Sequence, residues 1–173
     1  GEVWLIDGGG IRGSSFDIGR FVVGPFLWER GIRRVDRIFL THPHHDHYRG
    51  LEFVLRHFSP RELWMNGEMA PEQESEDWMN FQKAVEETQI SVQVATMQEK
   101  PITVGDAEWR FFLPEKSGTK SFFDVNDNSI VGQLRFGQIQ FFFPGDLMEA
   151  GENLLLQQKK NLHSMVLKVG HHG

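Results

Sequence analysis

The segment that runs from His42 to His47 (His-Pro-His-His-Asp-His) constrains this chain more than any other feature of its sequence. Its proline biases the preceding residue toward extended backbone, and residues two apart on an extended segment project to the same side. Imidazoles are common ligands of zinc and other transition metals. The spacing therefore predicts that His42 and His44 bind one metal ion.

The last residues of this segment point to a second ion. As the chain turns into the following helix, Asp46 and His47 are redirected, so we expect them to bind a second metal ion while His45 points elsewhere. Two cations about 3.5–4 Å apart are typical of two-metal hydrolases. Such a pair also needs a bridging carboxylate and a further imidazole from distant parts of the chain.

Candidates for these distant ligands follow two apolar strands. Asp146 comes after Phe141–Phe143 through a Pro-Gly pair, and we expect it to be the bridging carboxylate. His171 and His172 follow the apolar run 165–169, with a glycine that permits a turn between them and the run. One of these two histidines is expected to complete the second metal site.

Composition sets limits on the class of protein. With 173 residues, of which 39% are hydrophobic, the chain is expected to form a single domain over residues 1–173. The lack of cysteine excludes disulfides and thiolate metal sites, and the net charge of −6 disfavours nucleic-acid binding by bulk electrostatics. The first residues lack Met and the last stop within a motif, so we expect a soluble fragment of a larger protein, truncated at both ends.

Hydrophobic periodicity predicts alternating strands and helices in the first half and mainly strands in the second. The predicted helices are 20–30, 51–58, 72–87 and 149–158. The predicted strands are 3–6, 35–40, 62–65, 90–95, 102–104, 108–113, 130–136, 138–143 and 165–169. This order predicts an α/β layered domain with two sheets packed together and covered by helices.

Five motifs in this order resemble the metallo-β-lactamase superfamily, and within it the soluble domain of the ComEC family of DNA internalisation competence proteins. They are 6–9 (Ile-Asp-Gly-Gly), 40–47, 126–129 (Asn-Asp-Asn-Ser), 144–146 (Pro-Gly-Asp) and 170–173 (Gly-His-His-Gly). The resemblance implies an αββα sandwich with a metal-dependent phosphodiesterase site at one edge. It also implies a nuclease that degrades one DNA strand during competence-related DNA uptake.

The resemblance further implies two divalent metal ions, zinc or manganese. The implied metal ligands are His42, His44, Asp46, His47, Asp146 and His171, with Asp46 and Asp146 as the catalytic carboxylates. Residues expected near substrate or behind a ligand are Asp7, Asp127, Asn128 and His172, with Asp7 orienting a ligand. The implied partners are single-stranded or duplex DNA and the membrane channel of the same parent chain. The expected location is the extracytoplasmic side of a bacterial inner membrane.

Two departures from the family pattern affect these expectations. No histidine lies between His57 and His163, where many superfamily hydrolases have one, so one ion is expected to be weakly held, to take Asp127 or water instead, or to be manganese. Arg49 stands where the family commonly has small or aliphatic residues. We interpret Arg49 as a solvated helix-start residue and keep contact with a phosphate as the alternative.

Two other classes of function remain open at this point. The first is a small-molecule hydrolase of the same superfamily, such as a phosphorylcholine esterase, a lactonase or a β-lactamase. The second is a metal-poor domain that binds DNA or a partner without catalysis. For residues 126–129, an ordinary turn is as good an interpretation as a role beside substrate or metal.

Overall fold

A computed structural model of the chain describes residues 1–114 and 124–171. The chain divides into two compact units. The N-terminal unit comprises Glu2–Met65 and Met69–Gln93, and the C-terminal unit comprises Gly1, Asn66–Glu68 and Val94–Gly173. Each unit is built around one sheet, so the predicted mixed α/β organisation with two sheets and helices is confirmed.

The sheet of the N-terminal unit has four strands in the order β1-β2-β3-β4. The strands are β1 (Trp4–Ile6), β2 (Arg37–Phe39), β3 (Glu62–Met65) and β4 (Ser91–Val94). The first three are parallel, with Ile6 opposite Phe39 and Phe39 opposite Trp64. Because parallel strands end at the same edge of a sheet, the residues that follow β1 and β2 are brought together.

Helices connect these strands. They are α1 (Gly24–Glu29), α2 (His45–Tyr48), α3 (Leu51–His57) and α4 (Glu76–Thr88), and a π-helical turn, Gly19–Val23, precedes α1. Pro25 lies near the start of α1 but directly after the π-helical turn, so its missing N–H interrupts the helical hydrogen bonds where that turn meets α1. Helix α4 begins at Glu76 rather than at residue 72 because the Ser75 hydroxyl accepts a hydrogen bond from the Trp78 N–H at 3.2 Å.

The C-terminal unit contains a five-stranded sheet in the order β5-β6-β7-β8-β9. Its strands are β5 (Ile102–Val104), β6 (Ala107–Leu113), β7 (Val131–Phe136), β8 (Ile139–Phe143) and β9 (Val166–Leu167). Strands β5 to β8 pair antiparallel, and β9 pairs parallel to β8 after the chain passes through helix α5 (Glu149–Gln157). Among the helices of the described residues, none has both the length and the apolarity needed to cross a membrane.

Each unit has its own hydrophobic core. In the N-terminal unit, α3 and α4 contribute Leu51, Val54, Trp78 and Phe81 to a cluster of buried side chains. The core of the C-terminal unit consists of Phe112, Leu113, Val131, Phe142, Leu147 and Leu155. Both strand ends that carry predicted site residues, after β2 and after β8, therefore rest on buried apolar side chains.

Gly132 in β7 lies where the sheet of the C-terminal unit is too tightly packed for a larger residue. The Trp109 indole is buried, stacks on Phe143 with ring centroids 5.6 Å apart, and occupies the space where a Cβ on Gly132 would lie. We predict that Gly132→Ala lowers the free energy of unfolding by about 1–3 kcal/mol, measured by urea denaturation, because the indole must move. The control Thr103→Ala, at an exposed position of β5, should change it by less than about 0.5 kcal/mol.

Candidate metal centre

Asp7 is the first residue after β1, and its carboxylate contacts both the metal motif, residues His42–His47, and the Thr41 that precedes it. Its backbone takes the left-handed conformation, with φ of 57°, which aspartate tolerates better than most residues. One carboxylate oxygen accepts a hydrogen bond from the Thr41 N–H at 2.8 Å, and the other accepts from the Thr41 hydroxyl at 2.9 Å. The same second oxygen lies 2.8 Å from Nδ1 of His47. Asp7 therefore ties the end of β1 to the metal motif.

The contact between Asp7 and His47 decides which ring nitrogen of His47 can bind a metal. A carboxylate next to Nδ1 keeps the proton on that nitrogen, so the lone pair is on Nε2. The Nε2 atom lies 3.8 Å from Oδ2 of Asp46. His47 is buried, whereas the side chain of Asp46 is 41% exposed. These two residues present a nitrogen and an oxygen donor 3.8 Å apart, and their predicted role as ligands of one ion stays a prediction.

His42 and His44 form the other half of the motif. Nε2 of His42 lies 3.0 Å from Nδ1 of His44, and the Thr41 hydroxyl lies 3.1 Å from Nδ1 of His42. Two ligands of one ion with metal–nitrogen distances of about 2.0–2.1 Å are separated by about 3.0–3.4 Å. The observed separation fits this requirement. His42 and His47 also present ring nitrogens within 4.8 Å of each other.

The donor set of this segment suits a divalent transition metal. Three imidazoles and one carboxylate supply neutral nitrogen and anionic oxygen ligands, the combination typical of zinc, manganese and iron sites. Two of the imidazoles, those of His42 and His47, are buried. The N-terminal unit thus holds a His/Asp candidate metal site, within which the number and identity of the ions stay predictions.

His45 and Arg49 take no part in this donor set. Nε2 of His45 lies 2.9 Å from Oδ2 of Asp77 in helix α4, in agreement with the expectation that His45 points elsewhere. Nε of Arg49 lies 2.7 Å from Oδ1 of the same Asp77, and the Arg49 side chain is only 15% exposed. The interpretation of Arg49 as a solvated residue was wrong, because periodicity could not show that a carboxylate from α4 would cover it.

Tyr48 closes α2 on its buried side. Its ring packs against Trp78 and Phe81, with centroid distances of 5.0 and 5.6 Å. Burial raises the pKa of the Tyr48 phenol above its ordinary value, and the negative charge of Asp77 adds to the effect. Tyr48 is therefore a neutral packing residue at physiological pH.

In the C-terminal unit, Asp146 lies in the loop after β8, as predicted. The residue is 2% exposed, and its N–H donates to the hydroxyl of the fully buried Ser129 at 3.1 Å. The carboxylate lies 4.0 Å from Nζ of Lys168. Ser129 therefore fixes the backbone that carries Asp146, and Lys168 places a positive charge beside it.

Asp127 and Asn128 lie in a short 3-10 turn, Asn126–Asn128. Oδ1 of Asp127 accepts hydrogen bonds from the N–H groups of Met148 and Gly151, at 2.8 and 2.9 Å, so it caps the N-terminus of α5. Asn128 uses its backbone carbonyl to accept a hydrogen bond from the Asn66 side chain. Their predicted place beside substrate or metal stays a prediction, but the structure gives Asp127 a capping role that the sequence did not indicate.

Of the two candidate histidines that follow β9, His171 lies within the described residues and His172 does not. His171 is exposed and lies in a turn with φ of 48°. The preceding Gly170 packs against the loop that carries Asp146, because a Cβ on it would lie 3.4 Å from the Gly145 carbonyl oxygen. His172 lies outside the described residues. The choice between the two as a metal ligand stays a prediction.

Sequence reasoning gave no individual role to Thr41 or Lys168, and it considered Ser129 only as part of the motif 126–129. Thr41 contacts Asp7, His42 and His47 through one hydroxyl, and its place directly before the first histidine was the available signal. Ser129 follows the turn Asn126–Asn128, and Lys168 interrupts an otherwise apolar strand. All three support site residues that the sequence did identify.

The motifs and the fold agree with the comparison to known families. A profile described as the metallo-beta-lactamase superfamily matches residues 1–165. The chain belongs to the metallo-β-lactamase superfamily. Members of this superfamily are metal-dependent hydrolases that bind divalent ions. The resemblance inferred from the sequence motifs is thus confirmed.

Individual relatives give further detail. The chain is 28% identical over 182 residues to ComE operon protein 3 of Bacillus subtilis (strain 168), an alignment that covers 100% of this chain and 23% of that protein. This chain therefore spans about a quarter of the length of that relative. A crystal structure of the metallo-β-lactamase SMB-1 bound to 2-mercaptoethanesulfonate is similar with a TM-score of 0.61 and 12% identity, over 96% of this chain and 69% of that one. That likeness confirms the predicted metallo-β-lactamase type of fold.

The Asp7–His47 contact leads to a first prediction for the metal site. In Asp7→Asn, an amide N–H next to Nδ1 of His47 would move the ring proton to Nε2 and remove the lone pair that binds metal. We expect affinity for Mn²⁺ or Zn²⁺ to fall about 10–100-fold in isothermal titration calorimetry. Asp106→Asn, in the exposed turn between β5 and β6, should bind as wild type does. Unchanged affinity in Asp7→Asn would contradict this account of the tautomer.

Asp127 allows a prediction that separates capping from a site role. We expect Asp127→Ala to lower the free energy of unfolding by about 0.5–2 kcal/mol, because two N–H groups at the start of α5 lose their acceptor. Urea denaturation measures this loss. Asn128→Ala is the matched control, since Asn128 accepts the hydrogen bond from Asn66 through its backbone carbonyl. Unchanged stability with weakened metal binding in Asp127→Ala would instead indicate a role at the metal site.

Proposed function

We propose that this chain hydrolyses phosphodiester bonds of DNA in a competence-related uptake system. The observation that carries the proposal is the match along the whole chain to ComE operon protein 3. It supports the resemblance to the ComEC family, for which degradation of one DNA strand is the implied activity. The superfamily membership supplies the reaction class, a metal-dependent hydrolysis.

The proposed centre binds two divalent ions. His42 and His44 are proposed as ligands of one ion, and Asp46 and His47 as ligands of the other. Asp146 is proposed as the bridging carboxylate and His171 as the last imidazole. The buried position of Asp146 and its ordered backbone support a role that needs a fixed carboxylate.

In this proposal the metal ions, Asp7 and Asp46 have different roles in hydrolysis. When bound, the metal ions supply an activated water and neutralise negative charge on the phosphate. Asp7 holds the proton of His47 on Nδ1 and so keeps a lone pair on Nε2. The Asp46 side chain is 41% exposed, so it can contact and orient the water that attacks the substrate.

Manganese is the proposed native ion at the position bound by His42 and His44, which lacks a third imidazole ligand. No histidine lies between His57 and His163, so the ion bound by His42 and His44 lacks the third imidazole found in many superfamily hydrolases. Oxygen ligands then have to complete its coordination, and oxygen-rich sites suit manganese better than all-nitrogen sites do. Zinc is proposed as the alternative occupant.

The proposed setting is a longer protein. Because the chain spans 23% of ComE operon protein 3, the remainder of such a protein is the proposed source of the membrane channel. We place the domain on the extracytoplasmic side of a bacterial inner membrane. Incoming DNA, single-stranded or duplex, would meet the domain there.

A cleavage assay tests the proposed activity. Purified protein is incubated with linear DNA and added manganese or zinc, and the products are separated by electrophoresis. We expect Asp46→Ala and Asp146→Ala to reduce the rate of cleavage at least about 100-fold, because each removes a carboxylate from the proposed centre. The exposed Asp106→Ala serves as the matched control and should cleave as wild type does.

Three outcomes would contradict the proposal. Equal cleavage by wild type and both variants would assign the activity to a contaminant. Turnover of phosphorylcholine esters, lactones or β-lactams without cleavage of DNA would favour a small-molecule hydrolase. Less than one equivalent of metal per chain after reconstitution, measured by mass spectrometry, would favour a non-catalytic binding domain.

A further inference from the structure

Helix α2 carries two proposed ligands but cannot fix its own orientation. It consists of the four residues His45–Tyr48, and no described side chain caps its N-terminus. A single helical turn is unstable in isolation, because nucleation fixes several residues for one hydrogen bond. The directions of the Asp46 and His47 side chains therefore depend on contacts from outside α2.

One carboxylate from α4 makes two such contacts. Oδ2 of Asp77 lies 2.9 Å from Nε2 of His45, and Oδ1 of Asp77 lies 2.7 Å from Nε of Arg49. The side chains of His45 and Arg49 are 11% and 15% exposed. Nη1 of Arg49 also lies 3.4 Å from Oε2 of Glu52, so Asp77 is the nearer of two carboxylates that neutralise this largely buried guanidinium.

The two contacts bracket the proposed ligands. His45 is the first residue of α2 and Arg49 directly follows its last residue. Residues four apart lie one above the other on the same face of a helix. The Asp77 carboxylate contacts both residue 45 and residue 49, so it holds both ends of the turn that carries Asp46 and His47. These contacts resist rotation of that turn and its displacement along the helix axis.

Asp77 is itself held firmly. It lies in the first turn of α4, where a helix favours negative charge, two residues after the capping residue Ser75. The neighbouring Trp78 and Phe81 are buried and pack on the Tyr48 ring. Through Asp77, the packed helix α4 therefore fixes the position of the four-residue helix α2.

We propose that Asp77 is a positioning residue for the metal centre, acting through His45 and Arg49 on Asp46 and His47. This inference rests on the proposed role of Asp46 and His47 as metal ligands. It also gives Arg49, which departs from the usual family pattern, a function other than contact with a phosphate. The role needs a carboxylate with two oxygens, so an isosteric amide should fail in it.

Metal binding by three variants tests the proposal. Asp77→Asn keeps the shape but loses the charge, and Glu76→Gln removes the neighbouring exposed charge from the same turn of α4. Affinity for Mn²⁺ is measured by titration calorimetry, and the visible absorption spectrum of the Co²⁺-substituted protein reports the coordination geometry. We expect Asp77→Asn to lower affinity about 10–100-fold and to change the spectrum, with Asp77→Glu restoring much of both. Glu76→Gln should match wild type.

The outcomes separate this inference from the proposed function. If wild type binds metal and Asp77→Asn has the same affinity and spectrum, the positioning role is wrong and the proposed function stands. An equal loss in Glu76→Gln would also overturn it, because the effect would then come from the charge of the helix end. Failure of wild type to bind metal would overturn both proposals.

A second variant covers the case in which Asp77→Asn does not fold. Arg49→Lys keeps the positive charge but replaces the planar fork of donors by a point charge. We expect a severalfold loss of Mn²⁺ affinity and an altered Co²⁺ spectrum, with cooperative unfolding retained in urea. Unchanged metal binding in a folded Arg49→Lys protein would overturn the positioning role.

Discussion

The three contacts of the Asp7 carboxylate join two strand ends to a metal motif. Both oxygens contact Thr41, and one also lies against Nδ1 of His47. Because β1 and β2 are parallel neighbours, the residues that follow them meet at one edge of the sheet. The left-handed backbone of Asp7 then turns its carboxylate toward the motif. This contact orients the His47 ring and sets its tautomer, so the order of the donor set depends on it.

A second carboxylate, Asp77, performs the corresponding task on the other side of the motif. Asp7 contacts the side chain of a proposed ligand, whereas Asp77 contacts the residues on either side of the proposed ligands. The Asp7 side chain is 13% exposed and the Asp77 side chain 32%, but the imidazole and guanidinium groups that they contact are largely buried. In the C-terminal unit, Ser129 orders the backbone of Asp146 by a hydrogen bond. Each proposed cluster of ligands therefore has its own polar support.

Several elements could be predicted from the sequence because their signals are local. Strands β3 and β5 were predicted at their observed bounds, and α3 and α5 nearly so, because apolar periodicity reflects burial of one face. The start of α4 was placed too early, because acidic residues resemble a first helical turn and the decisive signal was the Ser75 hydroxyl. The final strand proved shorter than its apolar run, because only Val166 and Leu167 pair with β8.

The sequence alone determined the superfamily, the mixed α/β class and the identity of the motif residues His42–His47, because residue types and short spacings are sufficient for these. Tertiary structure decided which groups support that motif. The contacts of Asp7 with His47, and of Asp77 with His45 and Arg49, join residues separated by about thirty to forty positions in the chain. No local pattern specifies such pairs, since they depend on which strands become neighbours and on which face of a helix is buried.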